Sequence, residues 1–215
     1  MTKSTPRSGL RLNLGCGTRT PDQWVNVDYA LGARLGKIVP LRPLLRSVGI
    51  FHIEWSASIF IHDLRRPLPW RDDSVAAVYS SHTLEHLTKD EGQRLMRECR
   101  RVLAPGGVIR IAVPNLPAML EEYHKGVYPA VDLLDRLGVT CERDGDGRLR
   151  RWLAPLVRFP HRCMYDAESL VAALSEAGFD ARIHAPLLSH LPDIADVESE
   201  ERVHGGVIAE ACVPD

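Results

Sequence analysis

Two glycines and two aspartates follow strand-like segments in the first third of the chain. Gly15 and Gly17 close an alternating apolar run that begins at Leu10, and glycine lets a backbone bend sharply and approach a ligand closely. Asp28 ends a second such run, and Asp63 ends a third. Because ligands of open α/β sheets bind at the carboxyl ends of strands, we expect these residues to share one edge of a sheet.

Each of these positions suits one part of an adenosine-containing ligand. A carboxylate at Asp28 can accept hydrogen bonds from both hydroxyls of a ribose. A carboxylate at Asp63 can receive the exocyclic amine of adenine. Taken singly, the glycines also fit an ordinary turn, and each aspartate fits a turn or a helix cap. Three such positions in sequence order favour the ligand site.

A second group of reactive side chains lies just after the fourth strand-like segment. If Thr83 to His86 forms a helical turn, Glu85 and His86 share a face with His82. Three interpretations stay open. His86 or His82 is a general base oriented by Glu85, the trio binds a divalent metal ion, or the residues only fix the loop. The spacing identifies no fourth ligand, which weakens the metal interpretation.

A third group lies between Pro160 and Asp166, at the end of a long stretch and just before a predicted helix. Side chains in this position can reach a substrate bound beside the adenosine-containing ligand. If that substrate accepts a transferred group, His161 and Tyr165 are predicted to contact this acceptor. Arg162, with Arg158, would hold an acidic or phosphorylated acceptor through bidentate contacts. The segment also fits a plain turn before a helix, with solvated arginines.

The elements that must position these groups follow from apolar patterning. A capping box at Thr88 begins one helix, which stops at Pro105, and Asp166 begins another, which ends at Gly178. The predicted strands are residues 10–14, 24–28, 58–61, 75–80, 107–113, 180–185 and 207–213. Strands alternating with helices predict a Rossmann-like α/β fold, a doubly wound sheet with helices on both faces.

These motifs, in this order, resemble the class I S-adenosylmethionine-dependent methyltransferases. The resemblance covers residues 10–115 and rests on Leu12–Gly17, Val25–Asp28, Asp63–Leu64, Ser80–Leu87 and Arg101–Gly107. Its more specific parts are the Leu-Glu-His-Leu and Val-Leu-Ala-Pro-Gly-Gly segments. The resemblance implies a seven-stranded sheet with an antiparallel last strand. It also implies S-adenosylmethionine as the cofactor and S-adenosylhomocysteine as the product.

The resemblance further implies a role for each motif. Gly15 and Gly17 would face the methionine portion of the cofactor, and the residues after the fourth strand would line it near the sulfonium. Asp28 would bind the ribose, and Asp63 the adenine. The predicted cofactor-binding set is Gly15, Cys16, Gly17, Asp28, Tyr29, Asp63, Leu64, Ser80, Ser81 and His82. The predicted catalytic set is His86, His82 and Glu85.

Two features depart from the family pattern. Arg19 stands where a third glycine is usual, and residues 18–23 are too few for the usual helix before the next strand. A compact loop must replace that helix. The same region argues against a dinucleotide-binding oxidoreductase. The sixth position of the G-x-G-x-x-G fingerprint is Thr20, and the acid at Asp28 comes too soon.

Length and composition set the domain organisation. The 215 residues are 45% hydrophobic, which suffices for one domain with a sizeable core. We expect a single domain, 1–215, with insertions at about 31–55 and 123–164. The first insertion mixes basic and apolar residues, a composition typical of a lid, a homodimer contact or a shallow membrane-surface element.

Charge and cysteine usage bound the partners and the location. A net charge of -1 and 6% aromatic residues give no reason to expect a nucleic-acid partner. No apolar run is long enough to span a bilayer, and no secretory leader is recognisable. With five widely spaced cysteines, these observations predict free thiols and a cytoplasmic location.

The sequence therefore predicts an enzyme that transfers a methyl group from S-adenosylmethionine to a small-molecule acceptor. A sugar or glycan-precursor hydroxyl is one candidate, because some sugar- and polysaccharide-associated relatives have a similarly abbreviated glycine loop. The alternative is a protein of the same fold that binds or scaffolds a partner without catalysis.

Overall fold

The computed structural model describes residues 9–37, 55–140 and 159–214. Its centre is a seven-stranded sheet in the order β3-β2-β1-β4-β5-β7-β6. The strands are β1 (Leu10–Leu14), β2 (Val25–Asp28), β3 (Phe60–Ile61), β4 (Val75–Ser81), β5 (Leu103–Pro114), β6 (Arg182–Ile183) and β7 (Gly206–Cys212). Strand β7 runs antiparallel to both of its neighbours, β5 and β6, and the other neighbouring pairs are parallel. The predicted fold class and the antiparallel last strand are confirmed.

Two capped helices cover one face of the sheet. They are α2 (Lys89–Val102) and α5 (Ala167–Glu176), and each begins with the predicted cap, at Thr88 and Asp166. Both caps are reciprocal, because the third helical residue bonds back to the backbone of the cap residue. The apolar faces of these helices pack on the inward residues of β1, β4, β5 and β7 to form the main core.

Four shorter helices complete the described chain. They are α1 (Leu31–Gly36), α3 (Leu116–His124), α4 (Leu133–Arg136) and α6 (Glu200–Val203), with 3-10 turns at 84–86, 130–132 and 194–196. Helices α1 and α4 lie inside the two predicted insertions, and residues 38–54 and 141–158 of those insertions lie outside the described residues. Within the described ranges, no helix is long and apolar enough to span a bilayer.

Three strands differ from the sequence prediction by more than one residue at an end, and the first is β3, which begins at Phe60 rather than at residue 58. Strand β5 begins at Leu103 rather than Gly107, because the Pro105–Gly106 turn is accommodated as a bulge. Leu103 pairs with Val75, and the register has shifted by the next paired residues. Strand β6 holds only two exposed residues of the six predicted, as suits a short strand at the sheet edge.

The second face of the sheet explains how the fold tolerates its abbreviated first connection. No helix forms among residues 15–24, all of which the structure describes. Instead, Leu191, Ile194 and Val197 pack against Trp24 and Tyr79 on that face. These residues belong to the C-terminal segment, residues 191–198, which thus buries the apolar surface that a helix between β1 and β2 would otherwise cover.

Arg19, the residue in place of the usual third glycine, holds this C-terminal segment to the glycine turn. Its guanidinium donates hydrogen bonds to the carbonyl oxygens of Ala195, Asp196 and Glu198, at 2.9, 3.1 and 3.5 Å. Asn13 donates to the carbonyl oxygen of Arg19 at 2.9 Å. The departure from the family pattern therefore has a structural use in this chain.

Candidate active site

The turn after β1 is shaped by the close approach of two loops. The amides of Gly15 and Cys16 both donate to the carbonyl oxygen of Val27, at 2.8 and 3.1 Å. Gly15 has a φ of 68°, and a Cβ at this position would overlap the side chain of Thr83. Only glycine fits this position, because it permits both the left-handed backbone and the contact with the loop after β4.

Gly17 lies on the open side of the same turn. Its φ is 57°, and within the described chain nothing lies within 4 Å of where its Cβ would stand. Its amide donates to Oδ2 of Asp28 at 2.9 Å, and the amide of Ala30 donates to Oδ1 of Asp28 at 2.7 Å. Since each carboxylate oxygen can accept two hydrogen bonds, Asp28 keeps acceptor capacity beside open space.

Cys16 contributes its backbone to this turn rather than a reactive thiol. Burial, and next the charge of Asp28, raise the pKa of the Cys16 thiol to about 12. The side chain is fully buried, with Ala33 and Ile59 in the same small apolar cluster. The thiol is therefore neutral at physiological pH. The four described cysteines are free, as predicted, and Cys141 lies outside the described residues.

Asp28 and Asp63 lie at the same edge of the sheet, as the sequence predicts. Asp28 pairs with Ile61 in the parallel β2–β3 register, and the amide of His62 donates to the carbonyl oxygen of Asp28 at 3.2 Å. Asp63 accepts two hydrogen bonds from the guanidinium of Arg65, at 2.8 and 2.7 Å. That pairing, above all, lowers the pKa of Asp63. A ligand amine at Asp63 must therefore share the carboxylate with Arg65.

Three other predicted cofactor residues surround this edge. Tyr29 lies under the guanidinium of Arg34, which is 4.8 Å from the ring centroid. Leu64 is buried in the main core. Ser80 is buried and donates to the carbonyl oxygen of Leu14 at 3.2 Å, which ties β4 to the start of the glycine turn.

His82 is held in an unusual position directly after β4. Its φ is 53°, a left-handed conformation that is uncommon for a residue with a side chain. Its Nε2 lies 2.8 Å from the carbonyl oxygen of Arg202, and its Nδ1 lies 3.2 Å from Oε1 of Glu85. The Glu85 carboxylate, as the largest cause, raises the pKa of His82. The raised pKa and the two oxygen partners favour protons on both ring nitrogens, so His82 is suited to positioning Glu85 rather than to taking a proton from a substrate.

The two histidine groups found in the sequence meet in the structure. The carbonyl oxygen of Glu85 accepts hydrogen bonds from the amides of Arg162 and Cys163, at 2.7 and 3.1 Å. This pairing brings the ring of His161 to a centroid distance of 5.0 Å from the ring of His86. Nε2 of His161 lies 3.9 Å from Oε1 of Glu85. Burial, as the largest cause, lowers the pKa of His161.

The other predicted acceptor residues have different surroundings. Tyr165 is buried in the main core, and burial, as the largest cause, raises the pKa of its hydroxyl above the usual range, while the charge of Glu85 acts in the same direction. Its hydroxyl would lie 3.4 Å from a Cβ at Gly92 in α2. Arg162 is half-exposed and lies 3.4 Å from a carboxylate oxygen of Glu91. Arg158 lies outside the described residues.

Arg202 lies at the site without any signal in the sequence. Helix α6 brings its guanidinium to the carbonyl oxygen of Ser81 at 3.2 Å, while its own carbonyl oxygen accepts from His82. Its positive charge also lowers the pKa of the nearby Cys16, though burial outweighs that effect. Because some 120 residues separate Arg202 from these partners, its place at the site is evident only in the folded chain.

Comparison with known proteins gives a consistent result. Residues 12–111 match the family model of the methyltransferase domain. No curated protein matches the chain. A SAM-dependent methyltransferase from Methanosarcina mazei is similar with a TM-score of 0.54 and 15% identity, over 98% of this chain and 95% of that one.

A second structure is similar over nearly the whole chain. It comes from the complex between the Trm112 methyltransferase activator of Haloferax volcanii and a methyltransferase. The TM-score is 0.50 and the identity 15%, over 99% of this chain and 85% of that chain. At these identities the two structures support the fold, while the domain match supports the family.

Proposed function

We propose that the chain is a class I S-adenosylmethionine-dependent methyltransferase, as the domain match over residues 12–111 supports, and that it transfers the methyl group to a hydroxyl of a small-molecule acceptor. A sugar or a glycan precursor is the leading acceptor class. When bound, the cofactor supplies a methyl carbon that is already activated by a positive sulfur. The protein then has to align the acceptor with that carbon at about 3 Å.

The proposed cofactor site is the edge formed by the ends of β1, β2 and β3. The open space at Gly17 accommodates the methionine portion, and the unused acceptor capacity of Asp28 fits the two ribose hydroxyls. Asp63, shared with Arg65, receives the adenine amine. Arg202 donates to the carbonyl oxygen of Ser81, and its charge acts on Cys16 of the glycine turn, so its guanidinium is suited to the cofactor's carboxylate.

The acceptor side is proposed at the loop after β4. Glu85 and His86 remain the catalytic assignment, and they promote loss of the acceptor's proton during transfer. His161 joins them as the acceptor-side residue that the fold brings alongside. His82 becomes a positioning residue, because its two ring nitrogens are held by Glu85 and by the backbone of Arg202.

The observation that carries this proposal is the shared edge of Gly17 and Asp28. Calorimetry with S-adenosylhomocysteine tests it, and we expect one binding site per chain. Asp28→Asn removes the charge but keeps the shape, and should weaken binding by about 1.5 to 3 kcal/mol, or about 10- to 100-fold. Asp180→Asn is the matched control, because the side chain of Asp180 is 89% exposed and lies in a different turn.

Two results would contradict the proposal. Absence of binding at millimolar S-adenosylhomocysteine would remove the cofactor site, and an unchanged affinity of Asp28→Asn would remove the ribose assignment. Radiolabelled methyl transfer to pooled sugars, lipid-linked glycans, phenols and amines then separates an enzyme from a scaffold. Binding of the cofactor without transfer to any pool would favour the scaffold.

A further inference from the structure

Three side chains from two separate segments bring their metal-binding atoms together beside the proposed acceptor side. One ligand atom from each of Glu85, His86 and His161 lies within 4.8 Å of the other two. We propose that these three residues, the donor cluster, bind a divalent first-row transition-metal ion. Two imidazoles and one carboxylate suit Zn²⁺, Co²⁺ or Mn²⁺ better than the all-oxygen sites of Mg²⁺ or Ca²⁺.

Glu85 is the first argument for the site. Its side chain is buried, and its Oε1 faces Nδ1 of His82 at 3.2 Å. Its Oε2 is also buried, and no hydrogen-bond partner for it exists among the described residues. A buried carboxylate oxygen without a partner is costly, and a bound cation would satisfy it. In metal sites, a carboxylate that binds the ion through one oxygen commonly accepts a hydrogen bond from a neighbouring side chain through the other.

His86 and His161 are held in ways that suit ligands. Nδ1 of His86 lies 3.4 Å from the carbonyl oxygen of Pro160, so a proton on Nδ1 leaves the lone pair on Nε2 for an ion. The amide of His161 donates to the carbonyl oxygen of Gly138 at 2.8 Å. A Cβ at Gly138 would come within 2.8 Å of the His161 ring, so the ring is packed directly on that glycine.

The spacing of the donors is close to what an ion requires. Ligand atoms about 2.1 Å from a shared tetrahedral ion lie about 3.4 Å apart. The three donor atoms of the cluster, one from each residue, lie within 4.8 Å of one another. A contraction on the order of 1 Å therefore completes the site, and rotation of the two imidazole rings can supply it.

A second histidine and glutamate cluster in the described chain shows the contrast. His184, His190 and Glu210 are equally close, but both carboxylate oxygens of Glu210 are already bonded. They accept from Arg110, from the Ser189 hydroxyl and from the amide and ring of His190. That cluster has no free carboxylate oxygen, so it serves as the internal control.

An ion in the donor cluster would also restrict which acceptor molecules the enzyme can methylate. Three protein ligands leave further coordination positions open, and an acceptor hydroxyl would occupy one of them, so that Glu85 and His86 would promote loss of its proton through the ion they hold. This part rests on the proposed function. It predicts that acceptors with two neighbouring hydroxyls, which can chelate an ion, are preferred over those with one.

The test uses the full chain after treatment with a chelator. Titration with Co²⁺, followed by visible absorption, should show one ion per chain, and Zn²⁺ should displace it. Glu85→Gln, His86→Gln and His161→Gln should each weaken Co²⁺ binding by at least about tenfold, because each removes a ligand. His190→Gln, in the second cluster, should leave the affinity unchanged.

The proposal is overturned if the wild-type chain binds no Co²⁺ at millimolar concentration. It is equally overturned if His86→Gln and His161→Gln both bind as the wild type does. Calorimetry with S-adenosylhomocysteine, run on every variant, shows that each remains folded. Cofactor binding without Co²⁺ binding defeats the metal site alone, whereas Co²⁺ binding without cofactor binding defeats the proposed function and leaves the metal site standing.

Discussion

The buried charge of Arg110 gives the sharpest test of how the C-terminal segment is held. Arg110 lies in β5 with its side chain fully buried, and it pairs with the buried carboxylates of Glu198 and Glu210, at 2.7 and 3.0 Å. Its guanidinium also donates to the carbonyl oxygens of Ala185 and Leu188, at 3.0 and 2.9 Å. One side chain thus joins β5 and β7 to the segment that covers the second face.

Arg110→Met keeps most of the volume and leaves two carboxylates buried without their cation. Breaking a buried pair in this way costs about 3 to 5 kcal/mol. For a domain of this size each kcal/mol shifts the melting temperature by about 2 to 4 °C, so a fall of about 10 °C is expected. Arg182→Met is the control, because that side chain is 80% exposed and its pairing with Asp180 contributes little.

Urea unfolding and calorimetric melting of both variants measure the effect. We also expect weaker binding of S-adenosylhomocysteine by Arg110→Met, because the released segment leads to α6 and to Arg202 beside Ser81. A loss below about 1 kcal/mol, or a loss equal to that of Arg182→Met, would show that the buried cluster does not anchor this segment.

Three further predictions follow from single contacts. Gly15→Ala should lower both the free energy of unfolding and the affinity for S-adenosylhomocysteine, because the added Cβ overlaps Thr83. Melting and binding calorimetry measure the two effects, and an unchanged affinity would show that the turn does not shape the cofactor site. Thr88→Ala should cost about 1 kcal/mol in urea unfolding, since it removes the cap of α2, and a neutral result would contradict the capping box. The ionised Glu210 should stabilise the fold at pH values above the pKa of this group in the unfolded chain. That stabilisation should be lost as the pH falls through its pKa in the folded protein, which is lower. Burial raises that pKa, but hydrogen bonds from His190 and Ser189 and the charge of Arg110 outweigh it. Between pH 6 and 3, the free energy of unfolding should therefore change less with pH in Glu210→Gln than in the wild type. An identical slope for the two proteins would contradict this.

The local features of the fold could be predicted from the sequence because they depend on neighbouring residues. Alternating apolar residues specified β1 and β2, and the caps at Thr88 and Asp166 placed the starts of α2 and α5. The common edge of Asp28 and Asp63 also followed, because parallel strands end on the same side of a sheet.

The features that were missed depend on contacts between distant segments. The short connection after β1 indicated a missing helix, but not that residues 191–197 would cover the exposed face. The sequence predicts that His161 contacts the acceptor, but not that it meets Glu85, 76 residues earlier, as the backbone pairing of Arg162 brings about. Such pairings carry no periodicity that a local reading of the sequence can detect.

The predicted roles of His82 and Tyr165 show the same limit. Residue type and spacing make His82 a candidate base, whereas in the structure both of its ring nitrogens face oxygen atoms, which favours the positioning role proposed above. Tyr165 fitted a binding segment by position, but its ring completes the core under α2. In both cases the surroundings of the side chain, rather than its chemistry, decide what it can do.

A crystal structure with bound S-adenosylhomocysteine would show whether adenosine lies at the ends of β1, β2 and β3. We expect the ribose hydroxyls on the carboxylate of Asp28, the amino acid portion against Gly17, and the adenine beside Asp63. A nucleoside found at any other edge of the sheet, with Asp28 making no contact to it, would contradict the account.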